Sequence, residues 1–139
     1  MSNITLTIIK PEAVTAKNSG GIISMIEEAG FKILAIKKIR ATQEIMKKFY
    51  EIHKERPFYQ ELVDYMCDGE IIPILLQKEN AVEDFRTLVG ATDPKEAVEG
   101  TIRAKYGESK PKNAVHGSDS DENASLEWKY FFSEGEILD

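Results

Sequence analysis

The sequence predicts a single α/β domain, and patterns near the start of the chain indicate this class. Apolar and polar residues alternate over residues 4–8 and again over residues 31–39, as they do in strands that bury one face. Between them, the apolar residues of 22–29 recur at helical spacing, and Gly30 is suited to end that helix. A strand, a helix and a strand in succession form the unit from which helix-covered sheets are built. With 139 residues the chain can bury one such core, so we expect one domain over residues 1–139.

Two further helices are predicted in the next part of the chain. Thr42 is suited to cap a helix that runs to about residue 53, because its hydroxyl can accept a bond from a free amide of the first turn. The pair Arg56-Pro57 interrupts this helix, since proline cannot continue the backbone hydrogen bonds. A second helix is predicted over residues 59–68, where the apolar residues again share one face.

A third strand and another helix follow. Residues 70–77 are predicted to form the strand, in which Pro73 indicates an edge position or a bulge because it has no amide proton to donate. Asn80 is suited to cap the next helix, and Gly90 follows its end. The apolar face of this helix consists of Val82, Phe85, Leu88 and Val89.

The remaining third of the chain is less regular. Asp93 before proline predicts a short helix at residue 94, and residues 100–112 are predicted to be mainly loop. Residues 113–116 predict a short fourth strand. Ser120 is then placed to start a helix that runs to about residue 132, with acidic residues in its first turn.

The composition excludes several classes of protein. A net charge of -6 counts against a general nucleic-acid binder, which normally presents a basic face. The longest apolar run, residues 71–76, is too short to span a bilayer, and no basic flank precedes the first apolar residues, so we expect no secretory signal. Cys67 is the only cysteine, which excludes an intrachain disulfide and a cysteine-based metal cluster. We therefore expect a cytoplasmic protein.

Candidate chemistry centres on residues 113–120, which read Asn-Ala-Val-His-Gly-Ser-Asp-Ser. They carry one of the two histidines of the chain. His53 lies among charged residues of a predicted helix, so His116 is the histidine in a small, polar setting. An imidazole that is largely neutral at pH 7 can act as a nucleophile or a proton carrier, and phosphoryl groups suit it when cations stand nearby. An isolated histidine is more often a core or solvated residue, so the rest of the chain has to decide.

Phosphoryl transfer from a nucleotide also needs cations for the phosphate oxygens and a surface for the base. Lys10 follows a predicted strand, Arg86 lies on a helix and Arg103 lies in the predicted loop. Phe58 is an aromatic side chain on which a base can stack. Taken singly, most such residues are ordinary surface charges or core aromatics, and their spacing leaves both interpretations open.

Five segments resemble the signature segments of the nucleoside diphosphate kinase family, in the family's order and spacing. They are Lys10-Pro11-Glu12, Glu55-Arg56-Pro57-Phe58, Gly90-Ala91-Thr92-Asp93-Pro94, Gly100-Thr101-Ile102-Arg103 and residues 113–120. The resemblance extends from the first strand to Phe132. It implies a ferredoxin-like fold, in which helices cover a four-stranded antiparallel sheet. It also implies reversible transfer of the terminal phosphate of a nucleoside triphosphate to a nucleoside diphosphate, in two steps.

The resemblance assigns roles to individual residues. It implies that His116 is the phosphorylated nucleophile, that Lys10, Arg86 and Arg103 hold the phosphates, and that Thr92 adds a hydroxyl. Arginine forks match phosphate oxygens, which agrees with these assignments. The family's reaction further implies magnesium, bound mainly through the nucleotide phosphates.

Other implied roles concern the nucleoside and the orientation of the histidine ring. Phe58 would lie against the base, while Lys10 and Asn113 would reach the sugar. Glu127 would accept a hydrogen bond from the far nitrogen of the ring and so define its tautomer. Tyr50 and Ser118 would be supporting hydroxyls. Family members form hexamers or tetramers, so the resemblance also implies a homo-oligomer.

Three alternatives and two departures qualify this hypothesis. A histidine-based metal site is poor, because two histidines and one cysteine suit no common ligand set, and a serine hydrolase lacks its Gly-x-Ser-x-Gly turn. A non-catalytic nucleotide-binding or regulatory module of the same fold is the serious alternative. Lys105 stands where family members often have an acidic residue, and Trp128 where a smaller residue is usual; both bear on packing and assembly more than on chemistry.

Overall fold

The four strands form one antiparallel sheet in the order β2-β3-β1-β4 in the computed structural model, which describes residues 3–138. The strands are β1 (Ile4–Ile9), β2 (Lys32–Ile36), β3 (Ile72–Gln77) and β4 (Val115–Gly117). The helices are α1 (Pro11–Thr15), α2 (Ser19–Glu28), α3 (Gln43–Phe49), α4 (Tyr59–Cys67), α5 (Ala81–Val89), α6 (Ile102–Tyr106) and α7 (Asp121–Glu127). Single 3₁₀ turns occupy Glu51–His53, Pro94–Glu96, Trp128–Tyr130 and Glu134–Glu136. The expected fold class, a single domain with a four-stranded antiparallel sheet, is confirmed; positions 1, 2 and 139 of the expected domain lie outside the described residues.

Strand β1 lies inside the sheet and is covered on both faces. All six of its residues are buried, including Thr5 and Thr7, whose alternation with apolar residues predicted a half-exposed strand. Leu6 and Ile8 contact the core cluster that contains side chains of α3 and α4, while Ile9 contacts the cluster that contains side chains of α2, α5 and α6. Helices on both faces therefore bury the central strand completely, which alternation in a sequence cannot distinguish from burial on one face.

The predicted edge position of Pro73 is wrong. β3 lies between β1 and β2, and Pro73 is paired with Ile8 of β1. The carbonyl of Pro73 accepts a bond from the amide of Lys37 on the other side, just beyond Ile36, the last regularly paired residue of β2. In an antiparallel strand the nitrogen and carbonyl of one residue point to the same side. The missing amide proton would therefore face Lys37, and the pair of Lys37 with Pro73 has one bond instead of two. Pairing continues beyond it, because Ile39 and Ile71 donate to each other's carbonyls. The irregularity in the ladder lies in β2, between Ile33 and Ala35.

Two predicted helix starts have the expected side-chain caps, and one does not. The hydroxyl of Thr42 accepts a bond from the amide of Ile45, and that of Ser120 accepts one from Asn123. Asn80 precedes α5 as expected but has φ 57°, a left-handed conformation, and its side chain forms no cap hydrogen bond. An N-cap side chain reaches the helix amides from an extended backbone, so Asn80 bounds α5 through its backbone conformation instead.

The structure also corrects the extent of several elements. The helix predicted from Thr42 ends at Phe49 and continues only as a 3₁₀ turn, and the helix predicted to reach residue 132 ends at Glu127. Residues 100–112 are not mainly loop, because they contain α6, which Thr101 caps by accepting a bond from Ala104. The short helix expected after Asp93 is present as a 3₁₀ turn. Within residues 3–138, none of the helices is long and apolar enough to cross a membrane.

Two adjacent glycines at the start of α2 provide a matched test of this packing. A Cβ atom on Gly21 would lie 2.9 Å from Cζ of Tyr106 on α6, whereas one on Gly20 would meet nothing. We expect Gly20→Ala to raise the free energy of unfolding by about 0.5–1 kcal/mol, because alanine is the better helix former. Gly21→Ala should lower it by about 1–3 kcal/mol through overpacking. Urea unfolding of both variants measures the two changes, and equal stability would contradict the contact between α2 and α6.

Candidate active site

One cleft of about 920 Å³ opens where β1 ends beside β4. Its walls come from the end of β1, the segment between α3 and α4, helix α5 with the turn after it, α6, and the segment that precedes and includes β4. Eight of the residues singled out from the sequence line it: Lys10, Tyr50, Phe58, Arg86, Thr92, Arg103, Asn113 and His116. The other two, Ser118 and Glu127, contact each other, and Glu127 contacts His116. The fold therefore brings together all ten predicted residues, which are scattered along the chain.

The backbone of His116 is held by the central strand. His116 is paired with Ile8 of β1, and the hydroxyl of Thr7 donates a 2.7 Å hydrogen bond to the His116 carbonyl. The ring is half-buried and meets the ring of Phe49 edge to face, with 5.1 Å between the centroids. Backbone pairing and aromatic packing thus restrict the imidazole to one orientation at the cleft wall.

A chain of hydrogen bonds defines the tautomer of this ring. Oε1 of Glu127 lies 3.1 Å from Nε2 of His116 and 2.7 Å from the hydroxyl oxygen of Ser118. The Ser118 hydroxyl has one proton, and its other acceptor, the Leu6 carbonyl, lies farther away at 3.4 Å, so the proton belongs to the contact with Glu127. The Leu6 amide donates to the same hydroxyl at 3.3 Å. An ionised carboxylate only accepts hydrogen bonds, so in the neutral form of the ring Nε2 of His116 carries the proton and Nδ1 has a free lone pair.

Lys10 lies at the end of β1 and is buried, with 8% of its surface exposed to solvent. Its amide donates to the carbonyl of Ala114 at 2.8 Å, and its Nζ donates to Oδ1 of Asn113 at 2.7 Å. Burial, and secondly the charge of Arg103, lowers the pKa of Lys10 from 10.5 to about 8, and Glu12 opposes part of this shift. Lys10 is thus a cation whose charge is easily lost, because no carboxylate neutralises it at hydrogen-bonding distance.

Asn113 is oriented by bonds on both ends of its amide. Its oxygen accepts from Lys10, and its Nδ2 donates to the carbonyl of Thr92 at 3.0 Å. Asn113 is 3% exposed, while Thr92 lies at the exposed rim. These bonds connect the end of β1, the turn after α5 and the start of β4 across one side of the cleft.

Arg103 extends from α6 and is held by two backbone carbonyls. It donates to Gly90 at 3.2 Å and to Val115 at 2.8 Å, while its Nε is buried without a partner among the described residues. Burial, and then the charge of exposed Arg86 on α5, lowers the pKa of Arg103 to about 10. Two like charges face each other here, which is unfavourable in the free protein and suits an anion between them.

The opposite wall of the cleft is aromatic. Tyr50 is buried, and burial together with the carboxylate of Glu127 raises the pKa of its hydroxyl, which therefore stays protonated. Phe58 is 43% exposed at the rim, with the ring of His53 5.9 Å away and the guanidinium of Arg56 5.8 Å from its centroid. An exposed aromatic face at a cleft rim is a surface on which a flat ring can stack.

Sequence reasoning missed two residues at this site. His53 was set aside because it lies among charged residues, but it lines the cleft, and its Nδ1 is buried without a partner among the described residues. Glu12 belongs to a recognised segment but received no role; its carboxylate accepts bonds from the Ala114 amide and the Tyr65 hydroxyl. No signal in the sequence relates Glu12 to Tyr65 and Ala114, which lie more than 50 positions away in the chain.

Within residues 3–138 no group of three or more histidine, cysteine or acidic side chains is arranged to hold a metal ion. The carboxylates of the cleft lining are Asp119, two residues after Gly117, and Glu61 on α4. Both are exposed. One or two carboxylates suit a hard cation such as Mg²⁺, which takes its other ligands from water and from phosphate groups.

Basic side chains and one oriented histidine around a cleft of a helix-covered sheet are typical of a protein that handles phosphate groups. Comparison with known proteins agrees. The family model described as nucleoside diphosphate kinase matches residues 3–137. The chain therefore belongs to the nucleoside diphosphate kinase family, and the resemblance and the enzyme class expected from the sequence are confirmed.

Similar proteins of known name or structure cover nearly the whole chain. The nucleoside diphosphate kinases of Chlorobium chlorochromatii and Flavobacterium psychrophilum are 54% and 55% identical to it, over 96% and 95% of both chains. The solved structure of the Aquifex aeolicus nucleoside diphosphate kinase has 41% identity and a TM-score of 0.96, and the alignment covers 98% of this chain and 99% of that one. That of Halobacterium salinarum, solved in complex with CDP, has 30% identity and a TM-score of 0.94, with 100% and 93% coverage.

The hydrogen bonds of Glu127 predict the tautomer of His116. At a pH where the ring is neutral, long-range nitrogen–proton NMR should show the proton on Nε2, because Glu127 can only accept. Ser118→Ala should keep this tautomer, since the carboxylate remains, whereas Glu127→Ala should give a mixture of both forms. A ring protonated on Nδ1 in the unmodified protein would contradict the assignment.

Proposed function

We propose that this chain, as a catalytic domain of residues 1–139, transfers the terminal phosphate of a nucleoside triphosphate reversibly to a nucleoside diphosphate through a phosphohistidine on His116. The observation that supports it most is the contact between Nε2 of His116 and Glu127. This contact leaves Nδ1 with a free lone pair in a cleft lined by basic side chains. A neutral nitrogen with a lone pair is a nucleophile that needs no separate base.

The reaction proceeds in two matched halves. In the first, Nδ1 of His116 bonds to the terminal phosphorus, the bond from that phosphorus to the bridging oxygen breaks, and the nucleoside diphosphate leaves with that electron pair. The ring becomes positive, and the carboxylate of Glu127 at Nε2 stabilises it. In the second half, a terminal oxygen of another nucleoside diphosphate attacks the phosphorus and the nitrogen–phosphorus bond breaks. The enzyme returns to its starting form.

The cations hold the phosphates during these steps. Burial, and secondly repulsion from Arg86, lowers the pKa of Arg103, and an anionic phosphate between the two guanidinium groups offsets that repulsion. Thr92 adds a hydroxyl at the rim, and the protonated Tyr50 adds a further donor in the cleft lining. Donors already oriented towards developing charge are the main source of acceleration in phosphoryl transfer.

The nucleoside lies along the other side of the cleft. The bonded pair of Lys10 and Asn113 presents directional polar groups to the sugar, and the ring of Phe58 lies against the base. Stacking tolerates any base because every base has an aromatic face. A site that bonds a hydroxyl instead rejects sugars that lack it, because its own buried groups are left unpaired.

Magnesium fits this arrangement as a companion of the nucleotide. Asp119 is the lining carboxylate nearest in sequence to His116, and a magnesium ion typically combines one or two carboxylates with substrate phosphates. When bound, the metal neutralises charge on the phosphates. A cytoplasmic homo-oligomer, a hexamer or a tetramer, also remains a proposal, supported by the family resemblance and the single cysteine.

The alternative, a non-catalytic nucleotide-binding or regulatory module, is expected to have lost the histidine or its cations. This chain keeps His116, Lys10 and both arginines around one cleft. The enzyme is therefore the better supported proposal.

A phosphorylated intermediate is the central test. Incubation with ATP alone should leave one acid-labile phosphate on the protein, and initial rates for two nucleotides should give parallel double-reciprocal lines. His116→Ala should lose the phosphate, while His53→Ala, the matched variant at the other histidine, should retain it. Intersecting lines, or labelling that survives in His116→Ala, would contradict the proposal.

The lowered pKa of Lys10 predicts a pH dependence. Lys10 is charged below about pH 8 and neutral above it, so kcat/KM should fall as the pH rises through about 8. Lys10→Arg should move this decline to higher pH, because a guanidinium keeps its charge. Lys105→Gln, a change at an exposed lysine of α6, should leave the decline in place. If the decline stays near pH 8 in Lys10→Arg, another group causes it.

A further inference from the structure

Glu12 has no part in the proposed chemistry, yet both oxygens of its carboxylate are engaged beside the cleft. Oε2 accepts a 2.9 Å hydrogen bond from the amide of Ala114, and Oε1 accepts one from the hydroxyl of Tyr65 on α4. Glu12 lies in the first turn of α1, two residues after Lys10. One carboxylate therefore joins α1, α4 and the segment before β4.

Ala114, which Glu12 contacts, has an unusual backbone. Its φ is 76°, in the left-handed region that residues with a Cβ atom rarely adopt, and it is fully buried. Such a conformation persists only when its surroundings impose it. Both polar backbone groups of Ala114 are held by the same short segment, since its amide donates to Glu12 and its carbonyl accepts from the Lys10 amide at 2.8 Å.

The conformation of Ala114 determines where two site residues stand. Asn113 precedes it and bonds Lys10, and His116 follows it by two residues on β4. With an extended backbone at 114, the chain on one side of this residue would turn away from the cleft. The left-handed conformation is thus a requirement for presenting Asn113 and His116 to the same nucleotide.

We propose that Glu12 is a positioning residue: by bonding the Ala114 amide it holds the left-handed turn that aligns Asn113 with His116. This inference rests on the proposed function, because it takes the proposed sugar and phosphate contacts as the groups that need alignment. Glu12 does not itself touch the transferred group. A carboxylate repels phosphate, and both oxygens of Glu12 already accept hydrogen bonds from the protein, one of them from the Ala114 turn.

The charge of Glu12 has a second effect on the same side of the cleft. It opposes the loss of the Lys10 proton that burial and Arg103 favour. Titratable side chains of both signs surround Lys10. Beside Glu12, those of the cleft lining are the cations Arg86, Arg103, Lys110 and Lys112, the histidines His53 and His116, the tyrosines Tyr50 and Tyr65, and the carboxylates Glu61 and Asp119. Glu61 and Asp119 are exposed to solvent, and Glu12 is the carboxylate whose charge raises the pKa of Lys10, so its removal takes away the anion that supports the Lys10 proton.

Three variants separate these effects. Glu12→Gln keeps an oxygen acceptor for Ala114 but removes the charge, Glu12→Ala removes both, and Tyr65→Phe removes the other hydrogen bond alone. For each, we would measure the thermal stability, the rate of histidine phosphorylation by ATP, kcat/KM against pH, and the ratio of kcat/KM between a nucleoside diphosphate and its 3′-deoxy analogue.

Glu12→Ala should slow histidine phosphorylation by roughly tenfold to a hundredfold, the scale of a lost hydrogen bond to a charged group. It should also lower the ratio of kcat/KM between a nucleoside diphosphate and its 3′-deoxy analogue. Glu12→Gln should keep most of that preference and shift the alkaline decline of kcat/KM to lower pH, because Lys10 loses its nearby anion. Tyr65→Phe should change neither the preference for the 3′-hydroxyl nor the pH at which kcat/KM declines.

A rescue experiment distinguishes positioning from a general loss of stability. Glycine adopts positive φ without strain, so adding Ala114→Gly to Glu12→Ala should restore part of the lost rate and of the 3′-hydroxyl preference. A double variant no better than Glu12→Ala, or a Glu12→Ala protein with the unmodified rate and preference, would overturn the inference. If the unmodified protein forms no phosphohistidine, the proposed function fails first and separately.

Discussion

Three residue pairs join the short strand β4 to the central strand β1: Thr7 with Gly117, Ile8 with His116 and Ile9 with Val115. A three-residue strand has too few bonds to be stable by itself, so its position depends on β1, which is buried on both faces. This pairing brings His116 next to the end of β1 and so to Lys10, which is 106 positions away in the chain. Any shift of one residue would turn the histidine to the other face of the sheet.

The second constraint concerns how the cations are held. Arg103 donates to two backbone carbonyls and Lys10 to an amide oxygen, and within the described residues neither forms an ion pair. A carboxylate partner would stabilise the free protein but would compete with the phosphates of a ligand. Neutral acceptors orient these side chains and leave their charge available. The salt bridges found among residues 3–138 lie elsewhere, apart from the contact of Glu127 with His116.

The sequence predicted the elements with strong periodicity and clear caps, such as β1, α4 and the start of α7. It failed where tertiary contacts decide. Pro73 lies in an inner strand and leaves its pair with Lys37 one bond short, while pairing continues at Ile39 and Ile71, and this depends on the partner strand. Helix α6 was not predicted, because it is short and lies between Gly100 and Gly107, although Thr101 was a usable cap signal. Residue types suggested some of the candidates, such as His116 and Lys10, but the roles of all ten came from resemblance to a family, because spacing alone does not bring Lys10 and His116 together.

Unpaired cations have a thermodynamic consequence for the free protein. Lowering the pKa of Lys10 from 10.5 to about 8 corresponds to a penalty on the charged form of about 3 kcal/mol. This penalty is present below about pH 8, where the folded protein holds Lys10 charged, and it declines as the pH rises towards 10.5. A bound phosphate or sugar oxygen supplies the missing partner, so ligand binding relieves it. The strain of an unliganded site and its affinity for an anionic nucleotide therefore have one physical origin, the burial of positive charge beside neutral acceptors.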